Sequence, residues 1–261
     1  MGKNTKISTA DLEEIFVDRR DVKFWKKEGL KHSYLFWVRA MLSRDPVSVE
    51  RPRISTASIG VDVSVKERKD IYELLAKCFD VPTLELIKNL TDGSFSDMLR
   101  CLNVPEGKKL ILDTGDLDNE EALDVLKKEY TGLFFDTYLP FIPPYESIYR
   151  GEKHVMSKYT RDVDSFYRKI GLGVESDMPD HISHECEFVS ILCEKELNAL
   201  KETEKEGYRV MRNEFLRNHL LGWGSMFCSD LCVLAKSDFY KGISLIGKEF
   251  FDLEYNLVCS R

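Results

Sequence analysis

Long apolar runs are missing from this chain of 261 residues. The densest, YLFWV at Tyr34–Val38, falls far short of the roughly 20 residues that cross a bilayer, so no stable membrane insertion is expected. An excess of basic residues is missing too. Lys and Arg number 38 against 45 Asp and Glu, a net charge of −7. That balance argues against a nucleic-acid partner, whose phosphates call for clustered cations. The seven cysteines follow no paired spacing, the usage of a reduced, cytoplasmic protein rather than a disulfide framework. Met1–Glu14 has no apolar core of signal-peptide length, and Lys6 stands where a myristoylation signal needs Ser or Thr. No serine lies in a G-x-S-x-G nucleophile elbow.

What is present is helical periodicity. Leu12, Ile15, Phe16 and Val22 recur at helical spacing up to Gly29, and a second apolar segment ends at Asp45-Pro46. Pro46–Val65 is rich in β-branched residues, contains two prolines and reads as a linker. From Lys66 the helices resume, with Ile71, Leu74, Leu75 and Cys78 on one face and Pro82 as the stop. Asp118 and Glu121 have the spacing of a capping box ahead of Leu123, Leu126, Tyr130, Leu133 and Phe134. Further helices are expected over 160–170, 179–206, 208–223 and 226–257, the last of them broken. Strands do not alternate with helices, so the fold class is all-α. It divides into a helical extension and linker over 1–65 and a single helical bundle domain over 66–261.

Several patterns resemble catalytic or ligand sites without completing them. Gly242–Glu249 (GISLIGKE) nearly spells a phosphate-binding loop, but Glu249 replaces the hydroxyl that such a loop gives to magnesium. In the acidic run Asp113–Asp124, a calcium loop begun at Asp116 would have Glu121 and Lys127 where glycine and glutamate belong. Cys228 and Cys232 lie one turn apart without a second ligand pair, and Cys186 and Cys193 share the face of Ile182 and Val189, so all four suit buried packing. His181, His184 and His219 are the strongest candidates for a metal-dependent hydrolase, although the spacing does not match the zinc-hydrolase helix. That hydrolase and a GTP-responsive regulator using Gly242–Lys248 are the alternative readings.

Two stretches carry more. In FIPPYESIYRGE (Phe141–Glu152), Pro143 and Pro144 favour an extended backbone. Tyr145 and Tyr149 follow four apart, with Glu146 and Ser147 between them. The tyrosines suit a binding surface and a core equally well. In MPDHISHECEF (Met178–Phe188), Pro179 and Asp180 suit a helix start, and Glu185 falls on the apolar face of Ile182 and Val189. A buried carboxylate there needs partners or an opening to solvent.

These stretches, together with EYTGLF (Glu129–Phe134), YRKIGL (Tyr167–Leu172) and FLRNHLLGW (Phe215–Trp223), occur in the order of one family. The chain resembles the TorD/DmsD/NarJ-type redox enzyme maturation chaperones, from about Lys66 to Leu245. The opening helix KERKDIYELLAKCFDVPT is similar to theirs, and Met1–Val65 has no counterpart. The resemblance implies an all-helical, cytoplasmic protein that is not an enzyme and carries no cofactor or metal. Its partner would be the apo catalytic subunit of a molybdenum-cofactor oxidoreductase or that subunit's twin-arginine signal peptide, held until cofactor insertion and assembly. Monomer and homodimer both stay open.

By motif position, Tyr145, Glu146, Ser147 and Tyr149 match the family's Y-E-S-x-Y element, and Pro179, Asp180, His181 and Glu185 its P-D-H-x-x-x-E element. Glu146 and Asp180 are then the expected arginine acceptors, with Tyr145, Tyr149 and Trp223 as stacking surfaces. Gly132 stands where the family has arginine and Cys186 where it has leucine. The arginine pair in DRRDVKF (Asp18–Phe24) is followed by charge, so it reads as a helix face rather than an export signal.

Overall fold

The computed structural model describes residues 63–91, 99, 102, 104–112, 119–135, 142–152, 157–173 and 178–259. The expected extension, the Pro46–Val65 linker up to residue 62, and Asp118 of the expected capping box lie outside them. The described residues contain helices and no strands. In chain order these are α1 (Val65–Phe79), α2 (Leu84–Thr91), α3 (Pro105–Leu112), α4 (Asn119–Phe134), the single turn α5 (Glu146–Tyr149), α6 (Lys158–Lys169), α7 (Ile182–Asn198), α8 (Glu202–Asn218), α9 (Gly224–Leu234) and α10 (Asp238–Cys259). A 3-10 turn, Leu220–Gly222, joins α8 to α9. None is long and apolar enough to cross a membrane.

Helix α1 begins as its sequence dictates. Ser64 accepts the Glu67 amide at 3.2 Å, and the Glu67 carboxylate accepts the Ser64 amide at 2.9 Å, a reciprocal cap. Its face of Ile71, Leu74, Leu75 and Cys78 is fully buried and packs along α7, while α10 packs against α9 and α3. The aromatic centre joins these layers. Tyr72 meets Phe250 edge-on at 4.9 Å, and Phe79 meets Phe227 at 5.2 Å. Arg68 of α1 grips Glu254 of α10 with Nε 2.8 and 3.0 Å from the two carboxylate oxygens, and the Tyr72 hydroxyl donates to Glu254 at 3.3 Å. Glu254 is fully buried.

The expected helix over 179–206 is in fact two. Ala199 turns extended, Lys201 caps α8 in extended conformation, and Leu200 is left 97% exposed. α8 therefore starts six residues before the expected 208, with Glu202 and Glu204 in its first turn, where negative charge favours the helix dipole. The break expected within 226–257 falls at Ala235–Ser237. There the Glu129 carboxylate accepts the backbone amides of Lys236 (2.6 Å) and Ser237 (3.0 Å), so the first motif fastens the start of α10.

Gly242–Lys248 lies inside α10, where backbone amides serve the helix and cannot cradle phosphate. Gly247 is there for close packing. A side chain on Gly247 would come within 2.8 Å of Cys228 Sγ, and Lys248 pairs with Asp252 at 2.7 Å. The nucleotide-loop alternative is thereby corrected.

Candidate functional site

The two site motifs meet where two extended segments cross. Pro143 and Pro144 hold the chain extended into Tyr145, which forms an isolated antiparallel bridge with His181. Ile182 donates its amide to the Pro144 carbonyl, and Glu146 to the Asp180 carbonyl, both at 2.9 Å. Pro144 suits this edge because its bond there needs only its carbonyl. The Asp180 carboxylate then accepts the Ser147 amide at 3.0 Å, satisfying the first turn of α5. His181 caps α7 in the same manner, its ring accepting the Ser183 amide at 3.2 Å. Both caps thus come from the second motif, and backbone bonds stitch it to the first.

All eight expected site residues gather here, but seven are buried: Glu146, Ser147, Tyr149, Pro179, Asp180, His181 and Glu185. Tyr145 is half-buried and stacks edge-on against His181, ring centres 5.4 Å apart. Tyr149 packs on the fully buried Trp223 at 5.3 Å and hydrogen-bonds Asp230 at 3.0 Å. Glu146 accepts from Arg150 Nε at 3.1 Å and lies 2.8 Å from His219 Nδ1. Trp223 donates its indole N–H to Glu185 at 3.2 Å.

Three carboxyls with no exposed surface, Glu146, Asp180 and Glu185, therefore share one junction. Burial, then the charges of Glu146 and Asp180, push the Glu185 carboxyl well above the usual carboxylate range. Burial also raises Asp180, against opposing hydrogen bonds from Ser147 and Thr160. His181 is held down to about 3 by burial and by His184, so its ring is neutral at physiological pH and free to accept as a cap.

The histidines do not assemble a metal centre. His181 is bound to Ser183, His184 contacts the Met178 carbonyl at 3.1 Å, and His219 faces Glu146. Among the described residues no group of three His, Cys, Asp or Glu side chains could hold a metal. The hydrolase alternative is thus corrected. Cys186, Cys193 and Cys228 are buried packing residues and Cys232 is half-buried. A side chain at Gly132 would meet open space, so glycine there answers to no steric demand.

Sequence reasoning missed Arg150. Its Nη2 donates to the carbonyls of Asn218 (2.9 Å) and His219 (3.1 Å), and its guanidinium carbon lies 5.4 Å from the Tyr159 ring centre. The available signal was the i, i+4 spacing from Glu146; nothing in the sequence ties it to residues 218 and 219. Beside it opens a cleft of about 400 Å³ lined by Lys158, Tyr159, Asp162, Phe166, Asn218 and His219.

The His181 cap carries a pH prediction. Its depressed folded value means that stability is lost as pH falls from about 6.5 toward 3, because the unfolded chain binds the proton first. Asparagine keeps the cap without the titration. Between pH 7 and pH 5 the stability difference is expected to move in favour of His181→Asn by about 2 kcal/mol, read from urea unfolding at both pH values. Glu185 acts with the opposite sign, losing stability as pH rises above 4.5, so the comparison with the variant is needed to isolate His181. Parallel shifts in the two proteins would contradict the assignment.

The family model of the nitrate reductase delta subunit matches residues 102–229, a stretch containing the whole junction from Tyr145 to Trp223. A crystal structure from Archaeoglobus fulgidus, of a protein assigned to redox enzyme maturation, shares 26% identity over 57% of this chain and 93% of that one, with a TM-score of 0.35. No curated protein matches the chain. The matched stretch, just under half of the chain, holds the whole junction, and over it the chain is similar to the nitrate reductase delta subunit family and resembles the TorD/DmsD/NarJ-type redox enzyme maturation chaperones.

Proposed function

We propose that this chaperone acts in the cytoplasm, without catalysis, on the precursor of a molybdenum-cofactor oxidoreductase. It binds the apo catalytic subunit through its twin-arginine signal peptide and holds it until cofactor insertion and assembly. The observation that carries this reading is the guanidinium already seated at the junction, held by the buried Glu146 carboxylate and two carbonyls at the mouth of an open cleft. A site that satisfies one guanidinium has the chemistry to recognise others: a charged acceptor, convergent carbonyls and an aromatic face. The net charge of −7 would speed the approach of a basic peptide.

In this reading Tyr145 and the cleft rim make the first contacts. Glu146 supplies the charge, while Ser147, Tyr149, Pro179, Asp180, His181 and Glu185 hold it in place. The test is co-elution in gel filtration with candidate apo catalytic subunits, each prepared with and without its leader. A complex that needs the leader is expected. Complexes formed equally well without it would move recognition to the mature enzyme, and none with any subunit would remove the proposal.

A further inference from the structure

Arg150 occupies an unusual position for a residue of this chain. Its Nε is bonded to a fully buried carboxylate, and its Nη2 to carbonyls at the C-terminal end of α8. That end carries the negative pole of the helix and carbonyls without helical partners. Tyr159 presents its ring to the guanidinium at 5.4 Å, within cation–π range. On another side lies Gly222, where an added Cβ would stand 1.9 Å from Nη2 and 2.3 Å from the guanidinium carbon. Only glycine leaves that space for the planar group. Carboxylate, paired carbonyls, ring and glycine thus form a cage shaped for a guanidinium, where a compact ammonium would not reach the same acceptors at once.

The occupant of the cage is loosely tethered. Arg150 follows a helix of one turn, its side chain is one-quarter exposed, and Tyr159, Asn218 and His219 belong equally to the wall of the open cleft. Apart from Glu146 of α5, the groups that make the cage come from other elements: α6, the end of α8 and the 3-10 turn. They would persist if Arg150 swung out.

Resting on the client-binding reading above, we propose that Arg150 is an internal stand-in for an arginine of the client, and that binding proceeds by exchange of one guanidinium for the other. The cage stays filled while no client is present, so the Glu146 oxygen that does not face His219 is never left without a donor. The apparent affinity for a client is lowered by the fraction of time that Arg150 holds the cage. Peptides with weak contacts elsewhere are thereby rejected.

Two substitutions separate this from a structural role because they act in opposite directions. Arg150→Ala empties the cage and Gly222→Ala fills it with a methyl group. A peptide carrying an arginine pair ahead of an apolar segment is expected to bind Arg150→Ala about tenfold tighter than wild type if Arg150 fills the cage nine-tenths of the time. Binding to Gly222→Ala is expected to be weaker than to wild type. Millimolar methylguanidinium should raise the melting temperature of Arg150→Ala and not that of wild type, with methylammonium having no effect. If Arg150→Ala does not fold, Arg150→Gln keeps the stem without the fork and serves in its place. Weaker peptide binding to both variants, or no difference between methylguanidinium and methylammonium, would overturn the exchange. Methylguanidinium rescue without peptide binding to any of the proteins would leave the cage standing and overturn its use for a client.

Discussion

Replacing Glu254 with alanine is expected to destabilise the fold by about 3–5 kcal/mol, the cost of removing one partner from a buried ion pair. Its carboxylate is the shared acceptor of Arg68 and Tyr72, and it has no exposed surface. Removal leaves the Arg68 charge, itself only 12% exposed, facing the seam between α1 and α10. For a chain of this size the midpoint of thermal unfolding should fall by roughly 10 °C. Glu254→Gln should fall less, since it keeps an acceptor for the guanidinium and the phenol. A midpoint unchanged in both variants would mean that the seam between the first and last described helices is held by the aromatic packing of Tyr72 on Phe250 alone.

The second large effect is expected at Glu146. Alanine there strips the carboxylate from both Arg150 and His219, and a loss of about 3 kcal/mol is expected from an unpaired buried charge. Glutamine is the more informative change. It retains shape and one acceptor, so the fold should survive with a smaller loss. Client affinity should drop by about 1–3 kcal/mol, the range of a charge-assisted hydrogen bond. Denaturant unfolding gives the first quantity and calorimetric titration the second. Intact folding with unchanged client affinity would take Glu146 out of recognition and leave it a purely internal residue.

The sequence conveyed the fold through its periodic faces. Ile71, Leu74, Leu75 and Cys78 lie buried where their spacing placed them, because burial of such a face decides the helix more than local propensity does. The break between α7 and α8 was illegible. Ala199–Lys201 contains neither glycine nor proline, and the turn is made by residues that are individually good helix formers. The site was legible as a set of motifs but not as an arrangement. Glu146 and Asp180 read in sequence as acceptors awaiting a foreign arginine. In the structure Glu146 already holds Arg150 and His219, while Asp180 caps α5. Arg150 is local at i, i+4, but Ser147 lies 33 residues from Asp180 and His219 lies 73 residues from Glu146, and no local pattern encodes such meetings. The approach of Arg150 to Gly222 is of the same kind, since it depends on how the end of α8 crosses α5.

The central claim is that this junction recognises arginine on a client precursor. Calorimetric titration with the twin-arginine signal peptides of the source organism's molybdoenzymes tests it most directly, each peptide paired with a control in which both arginines are lysine. Saturable binding of at least one peptide, weakened strongly by the lysine change, is the predicted result, because a lysine ammonium cannot reproduce the fork that Glu146 and the carbonyls of Asn218 and His219 accept. Equal binding of the arginine and lysine peptides, or none by any peptide, would contradict it.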